Sequence, residues 1–231
     1  SLVLWLDGST GNNYEKTNVW KDLSGNGNDG VLKNFDFTEN SGWVDGGLKF
    51  DGVDDYILHN RIDTNESWTI DFVASFPEET IGKWIDLFGA YDTHNIMLHA
   101  NGGLGWYVGY YSEGIDKKAY IIYSNLRLGI DIPTNTPIRL CVRCKYIGDK
   151  IADITFYANE LKKELLSEEL SPAYEGFSTK YVMSTSPHRM GQWKLYSYKL
   201  YNRALTDEEI MQNYQAGQCS PLLAMRGDAI G

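Results

Sequence analysis

Carboxylates and imidazoles are the groups with which this chain would do acid–base chemistry, and their spacing argues against it. Cleavage of a glycosidic bond needs two carboxyl groups flanking the scissile oxygen. Asp71 and Asp86 each sit in the middle of an alternating run, yet neither has a second acid two residues away. The adjacent acids Glu78-Glu79 and Glu168-Glu169 fall in predicted loops, where a solvated surface is the ordinary state of a carboxylate. His59, His94, His99 and His188 are scattered, and no G-x-S-x-G nucleophile elbow is present. Cys141 and Cys144 lie three apart in an alternating segment, which sends their side chains to opposite faces and makes a bridge between them implausible. No C-x-x-C is accompanied by His, as structural zinc would require. The chain is therefore expected not to be an enzyme.

Binding chemistry is better represented. Sugar rings stack their apolar C–H faces on Trp and Tyr while planar polar groups take the hydroxyls, and the 231 residues include 7 Trp and 16 Tyr. A sandwich core uses the same aromatics, so alternation must separate the two roles. In Trp68–Phe76 the apolar face is Trp68, Ile70, Phe72 and Ala74, which directs Asp71 to the outer surface. Tyr157 opposes Ile154, Phe156 and Ala158, and Arg143 opposes Leu140, Val142 and Cys144, so Asp71, Arg143 and Tyr157 are expected to share that surface. In Lys83–Phe88, Asp86 marks the face of Trp84 as solvent-facing. The run GWYVGYY at 105–111 has aromatics on both faces, making Trp106, Tyr107 and Tyr111 candidates for a stacking platform, with close backbone access at Gly109. The candidate ligand-binding residues are thus Trp84, Trp106, Tyr107, Tyr111, Tyr157, Asp71 and Arg143.

The acidic turns raise a second question. WKDLSGNGNDG at 20–30 offers Asp22, Asn26 and Asp29, with Asn28 and loop carbonyls, as part of an oxygen shell for a structural calcium ion; Asp51, Asp54 and Asp55 form another cluster. The spacing is not that of an EF-hand. Asn-Gly and Asp-Gly are equally the residues of tight turns that hold no ion.

The elements that must position these residues are mostly strands. Period-2 runs at 2–6, 48–50, 55–58, 68–76, 83–90, 95–99, 105–111, 119–123, 138–146, 151–157, 181–184 and 192–200 are separated by Gly, Asn, Asp or Pro, about a dozen strands and enough for two stacked sheets. TDEEIMQNY at 206–214 opens with a capping box, Thr206 and Glu209, and reads as one short helix that Gly217 can end. Leu161–Leu170 has helical residues but follows a strand directly, so a loop with one or two helical turns is an equal reading. The expected class is all-β, a two-sheet antiparallel jelly-roll sandwich with one short C-terminal helix, with a domain at 1–218 and a tail or linker at 219–231. No run of 18 apolar residues exists and residue 1 is Ser, so the chain reads as a domain cut from a longer polypeptide or as a processed protein. A net charge of −10 without a Lys/Arg cluster argues against nucleic acid and membrane insertion.

Leu2–Asp7 followed by WKDLSGNGNDG, then GLKFDGVDDYI, SWTIDFVASF, ITFYANEL and KLYSYKLYNRALTDEEIMQNYQAG resemble, in order and over nearly the whole chain, the concanavalin A-like lectin/glucanase superfamily, in its laminin-G-like jelly-roll branch. The resemblance implies two antiparallel sheets, a surface used for sugars or proteins and, in several relatives, calcium near the rim. The superfamily's glucanases place two Glu around an Asp on one strand, and that E-x-D-x-E pattern is missing here. The expectation is a non-catalytic carbohydrate- or glycoconjugate-binding module of a larger extracellular, cell-surface or virion protein, with a glycan or polysaccharide as partner. The alternative is a structural domain of a phage capsid or tail that binds neighbouring protein subunits; a glycoside hydrolase stands third.

Overall fold

The structure, a computed structural model, describes residues 1–9, 17–80, 84–90, 94–100, 104–110, 120–122, 133–164, 168–169, 176–183 and 190–218; for 84, 90, 94–100, 104–110, 120–122, 163–164, 168–169 and 218 it describes the backbone alone. In chain order the strands are β1 Leu2–Asp7, β2 Val19–Trp20, β3 Gly30–Lys33, β4 Gly42–Val44, β5 Gly47–Asp51, β6 Tyr56–Asp63, β7 Trp68–Ser75, β8 Trp84–Ala90 and β9 His94–Ala100. They continue with β10 Leu104–Tyr110, β11 Tyr120–Ile122, β12 Ile138–Gly148, β13 Ile151–Ala158, β14 Leu161–Glu164, β15 Glu168–Glu169, β16 Ser178–Val182 and β17 Gln192–Tyr201, before the helix α1, Asp207–Gln218. One sheet runs β14–β13–β12–β7–β17–β5–β4, with β1 along the second half of β17 and β15 beside β13; the other runs β11–β10–β9–β8–β16–β6–β3–β2. The result is a two-sheet antiparallel sandwich with one short C-terminal helix, as the alternation predicts.

The core lies between the sheets because each central strand turns every second apolar residue inward. Ile70, Phe72 and Ala74 of β7, Leu140 and Val142 of β12, and Leu4 and Leu6 of β1 are completely buried. Trp193 lies parallel to Phe50 at 4.9 Å and to Phe76 at 5.9 Å between ring centroids, and Phe88 stacks on Tyr198 at 4.3 Å. Each such ring removed from water contributes about 1.5–3 kcal/mol.

Two bulges change the phase of this pattern. In β17 the pairing with β7 slips between Leu195 and Ser197, so the inward set changes from Trp193 and Leu195 to Tyr198 and Leu200, and the extra residue, Tyr196, is re-aimed. In β8 the register with β9 slips between Asp86 and Phe88. Ile85, Leu87 and Phe88 are therefore all buried, and Asp86 is itself only 3% exposed. The slip brings Phe88 to the side of Ile85, and the expectation that Asp86 marks a solvent-facing side of β8 is corrected by its own burial.

Tertiary pairing also overrides local composition at 161–169. The segment forms no helical turns in its described residues: Leu161–Glu164 pairs with Thr155–Ala158, and Glu168–Glu169 pairs with Ile151–Ala152. The short strands β2, β3 and β4 were not legible, since two to four residues carry too little periodicity. The helix continues through Gly217 instead of ending there.

Candidate binding cavity beneath the C-terminal helix

The outward face of the first sheet is built in cross-strand rows. Trp5, Lys199, Asp71, Cys141 and Tyr157 are register partners across β1, β17, β7, β12 and β13. One step along, Asp7, Ser197, Val73 and Arg139 make the next row. Asp71, Arg143 and Tyr157 do share a face, as the alternation predicts. That face is not open surface, however: Asp71 and Tyr157 are 4% and 5% exposed, because α1 lies across it. Their expected availability at an open surface is corrected by the helix.

The helix is placed by its own start. Thr206 Oγ1 accepts from Glu209 N at 3.2 Å while Glu209 Oε2 accepts from Thr206 N at 2.9 Å, the reciprocal capping box. Arg203 donates to both oxygens of Glu209, and its guanidinium, with the Thr206 amide, draws that carboxyl down to about 2. Asp207, in the first turn, accepts from Lys162, from Tyr157 Oη at 2.8 Å and from Arg143 Nη1 at 2.6 Å. These donors, Lys162 first, hold its carboxyl well below the usual range. Arg143 also donates to Leu205 O at 3.0 Å. Arg143 and Tyr157, expected as ligand contacts, thus clamp the helix, with Cys141, Leu205 and Ile210 packed under it.

Ile210, Asn213, Tyr214 and Gly217 follow at helical spacing along the face turned to the sheet. Asn213 Nδ2 donates to Tyr201 Oη at 2.9 Å and to Asp71 Oδ2 at 3.3 Å. Asp71 accepts from Arg139 Nε at 2.7 Å and Nη2 at 2.5 Å, a bidentate pair whose side chains are each 5% exposed. The Arg139 guanidinium lies 5.8 Å from the Tyr214 ring.

A cavity of about 320 Å³ opens between the last turns of α1 and β1, β17, β7 and β12. Trp5, Tyr196 and Tyr214 bring aromatic rings to it, and Asp7, Asp71, Arg139, Lys199 and Asn213 bring polar groups. Lys199 Nζ rests 4.8 Å from the Trp5 ring centroid, and the buried indole Nε1 of Trp5 has no acceptor among the described residues. Asp71 was the one residue of this site singled out from sequence. Trp5 was legible as an outward position between Leu4 and Leu6. Tyr196 was not, because the bulge that aims it depends on pairing with β7.

The remaining candidates fall elsewhere. Trp84, Trp106 and Tyr107 lie in β8 and β10, whose backbones pair in the second sheet; their side chains, and the whole of Tyr111, lie outside the described residues. The calcium candidates form a loop closed by its own hydrogen bonds. Asp22 Oδ1 accepts from the amides of Trp5 and Ser24, and Oδ2 from the Asn28 amide and the Ser24 hydroxyl. Burial opposes ionisation of Asp22, but these amides outweigh it and its carboxyl is lowered. Asp29 accepts from the Asp22 amide and from Lys21, while the Asn26 side chain donates to Leu2 O and Ser24 Oγ. Each oxygen of Asp22 thus accepts two protein donors and each oxygen of Asp29 one, so the loop's closure is accounted for by hydrogen bonds of its own. Asp51, Asp54 and Asp55 bring carboxylate oxygens within 4.8 Å of one another. There too Asp55 accepts from Ser41 Oγ and the Asp51 amide, and Asp51 from the amides of Val53 and Asp54.

No protein-family model matches the chain, and no curated protein matches it significantly. Solved structures do match. The receptor binding domain of botulinum neurotoxin D superposes with a TM-score of 0.62 at 13% identity, over 95% of this chain and 53% of that one. The receptor binding domain of the botulinum neurotoxin C/D mosaic serotype gives 0.62 at 14% identity, over 95% and 52%. Trypanosoma rangeli sialidase in complex with sialic acid gives 0.59 at 14% identity, over 94% and 33%. The chain therefore spans about half of the toxin domains and a third of the sialidase chain. At such identities the shared property is the β-sandwich itself. No helix among the described residues is long and apolar enough to cross a membrane.

Proposed function

We propose that the chain is a non-catalytic carbohydrate-binding module of the laminin-G-like branch, carried by a larger extracellular, cell-surface or virion protein, and that it holds its sugar in the cavity at the end of α1. The observation that carries this reading is the composition of the cavity. Three aromatic rings stand beside Arg139, Lys199, Asn213 and two carboxylates, in a space at the lower end of ligand-pocket size, roughly 300–1,000 Å³. Rings and planar polar groups together are what a sugar's C–H face and hydroxyls require. The sandwich shared with toxin receptor binding domains and with a sialidase crystallised with sialic acid supports it in a general way. Absence of chemistry belongs to the proposal as well. Asp71 is committed to Arg139 and Asn213, and Asp7 Oδ1 to the amide and hydroxyl of Ser9, so neither carboxylate stands ready as acid or nucleophile.

The test is a glycan and polysaccharide panel on the purified chain, run with calcium and again with chelator. Saturable binding that weakens in Trp5→Ala and Tyr214→Ala is expected, and chelator should leave it unchanged. Binding lost in Trp106→Ala but kept in Trp5→Ala would move the site to β10. A blank from folded protein across the panel would overturn the reading in favour of a domain that packs against protein subunits.

A further inference from the structure

We infer that the cavity selects a sugar bearing a carboxylate, held at one end by Lys199 and at the other by Arg139, with Trp5 as the stacking surface. This rests on the carbohydrate reading above and goes further, to the charge class of the ligand. The argument is a count of hydrogen-bonding capacity. Both oxygens of Asp71 are occupied, by Arg139 Nε and Nη2 and by Asn213, and Asp7 Oδ1 is occupied by Ser9. Spare capacity lies on the donor side. Lys199 makes no ion pair or hydrogen bond among the described residues and only rests over Trp5. Arg139 uses two of its three nitrogens on Asp71, and Nη1 has no acceptor among the described residues although the side chain is 5% exposed. The Tyr196 hydroxyl likewise has no acceptor among the described residues, in a residue 8% exposed.

A neutral sugar brings hydroxyls that must donate as well as accept, and the strongest acceptors, both oxygens of Asp71 and Oδ1 of Asp7, are already taken. A carboxylate only accepts, so it matches a surface of surplus donors. The spacing fits as well. Lys199 on β17 and Arg139 on β12 are separated by β7 and lie in adjacent rows, so their backbones are about 12 Å apart across the sheet. A single sugar ring bridges that distance once the two long side chains lean inward. The chain as a whole carries −10, so long-range attraction does not draw an anion here and the preference must come from direct contact.

Titration calorimetry with methyl glucuronide against methyl glucoside, and with methyl galacturonide against methyl galactoside, isolates the carboxylate, since each pair differs only at the terminal carbon. At least one acid is expected to bind about 10-fold or more tightly than its neutral partner, the scale of a charge-assisted hydrogen bond. Lys199→Met, which keeps the aliphatic stem over Trp5, should abolish that ratio while leaving the melting temperature in place. Acid and neutral sugars bound alike, or a ratio that survives Lys199→Met, would overturn this inference and leave the carbohydrate reading intact. Failure of every glycan in the broader panel would overturn both.

Discussion

Breaking the Asp71–Arg139 pair should cost far more than removing it whole. Arg139→Met leaves the Asp71 carboxylate on a covered face with the Asn213 amide at 3.3 Å as its remaining partner. Asp71→Asn leaves a guanidinium that cannot shed its charge. Losing one member of a buried pair costs about 3–5 kcal/mol. The cavity admits solvent to the guanidinium edge, so the lower end, about 3 kcal/mol, applies to each single change. For a chain of 231 residues, about 2–4 °C per kcal/mol translates this into a fall in Tm of about 6–12 °C. The double variant Asp71→Leu/Arg139→Met buries no charge and should melt within a few degrees of the parent. Urea and thermal denaturation of the four proteins close the cycle. Single variants each within about 1 kcal/mol of the parent, or a double variant as unstable as the sum of the singles, would refute the reasoning. The folded double variant should also lose carboxylated sugar, because the cavity floor has lost Arg139.

Burial drives the His59 imidazole from 6.5 down to about 4; its Nδ1 lies 2.7 Å from Asn60 O, and its Nε2 has no partner among the described residues. The unfolded chain accepts a proton that the folded chain refuses, so stability falls as pH drops from 6.5 to about 4, by about 3 kcal/mol. Burial moves Asp55 the other way, from 3.8 to about 7, so its contribution is lost as pH rises through that window. Urea midpoints of His59→Gln should therefore gain on the parent at pH 4.5 relative to pH 7.5, and a constant difference would count against the assignment. Thr206→Ala removes the helix cap and should cost about 1 kcal/mol, seen as a Tm lower by a few degrees; an unchanged melt would mean that Asp207 alone holds the helix. Cys141 and Cys144 are buried and form no disulfide among the described residues, and burial pushes the Cys141 thiol well up. In a Cys219→Ser chain a thiol reagent should therefore titrate nothing until urea is added, and prompt reaction in the native state would show that α1 lifts from the sheet.

Much of this protein was written in periodicity. Alternation in 68–76, 138–146 and 151–157 determined which residues face the core and placed Asp71, Arg143 and Tyr157 on one surface, because side chains on a strand alternate whatever the sheet order is. Thr206 and Glu209 determined the start of the helix, because a capping box is satisfied within four residues. What lies on that surface was decided by the tertiary structure. The path of α1 depends on Asp207 meeting Arg143, Tyr157 and Lys162 from three other strands, contacts separated by 45 to 64 positions in the chain. The bulge at Tyr196 depends on pairing with β7, and the row from Trp5 to Lys199 to Asp71 depends on β1, β17 and β7 becoming neighbours. A local pattern encodes which way a side chain points; which residues it meets is set only when distant strands close their register.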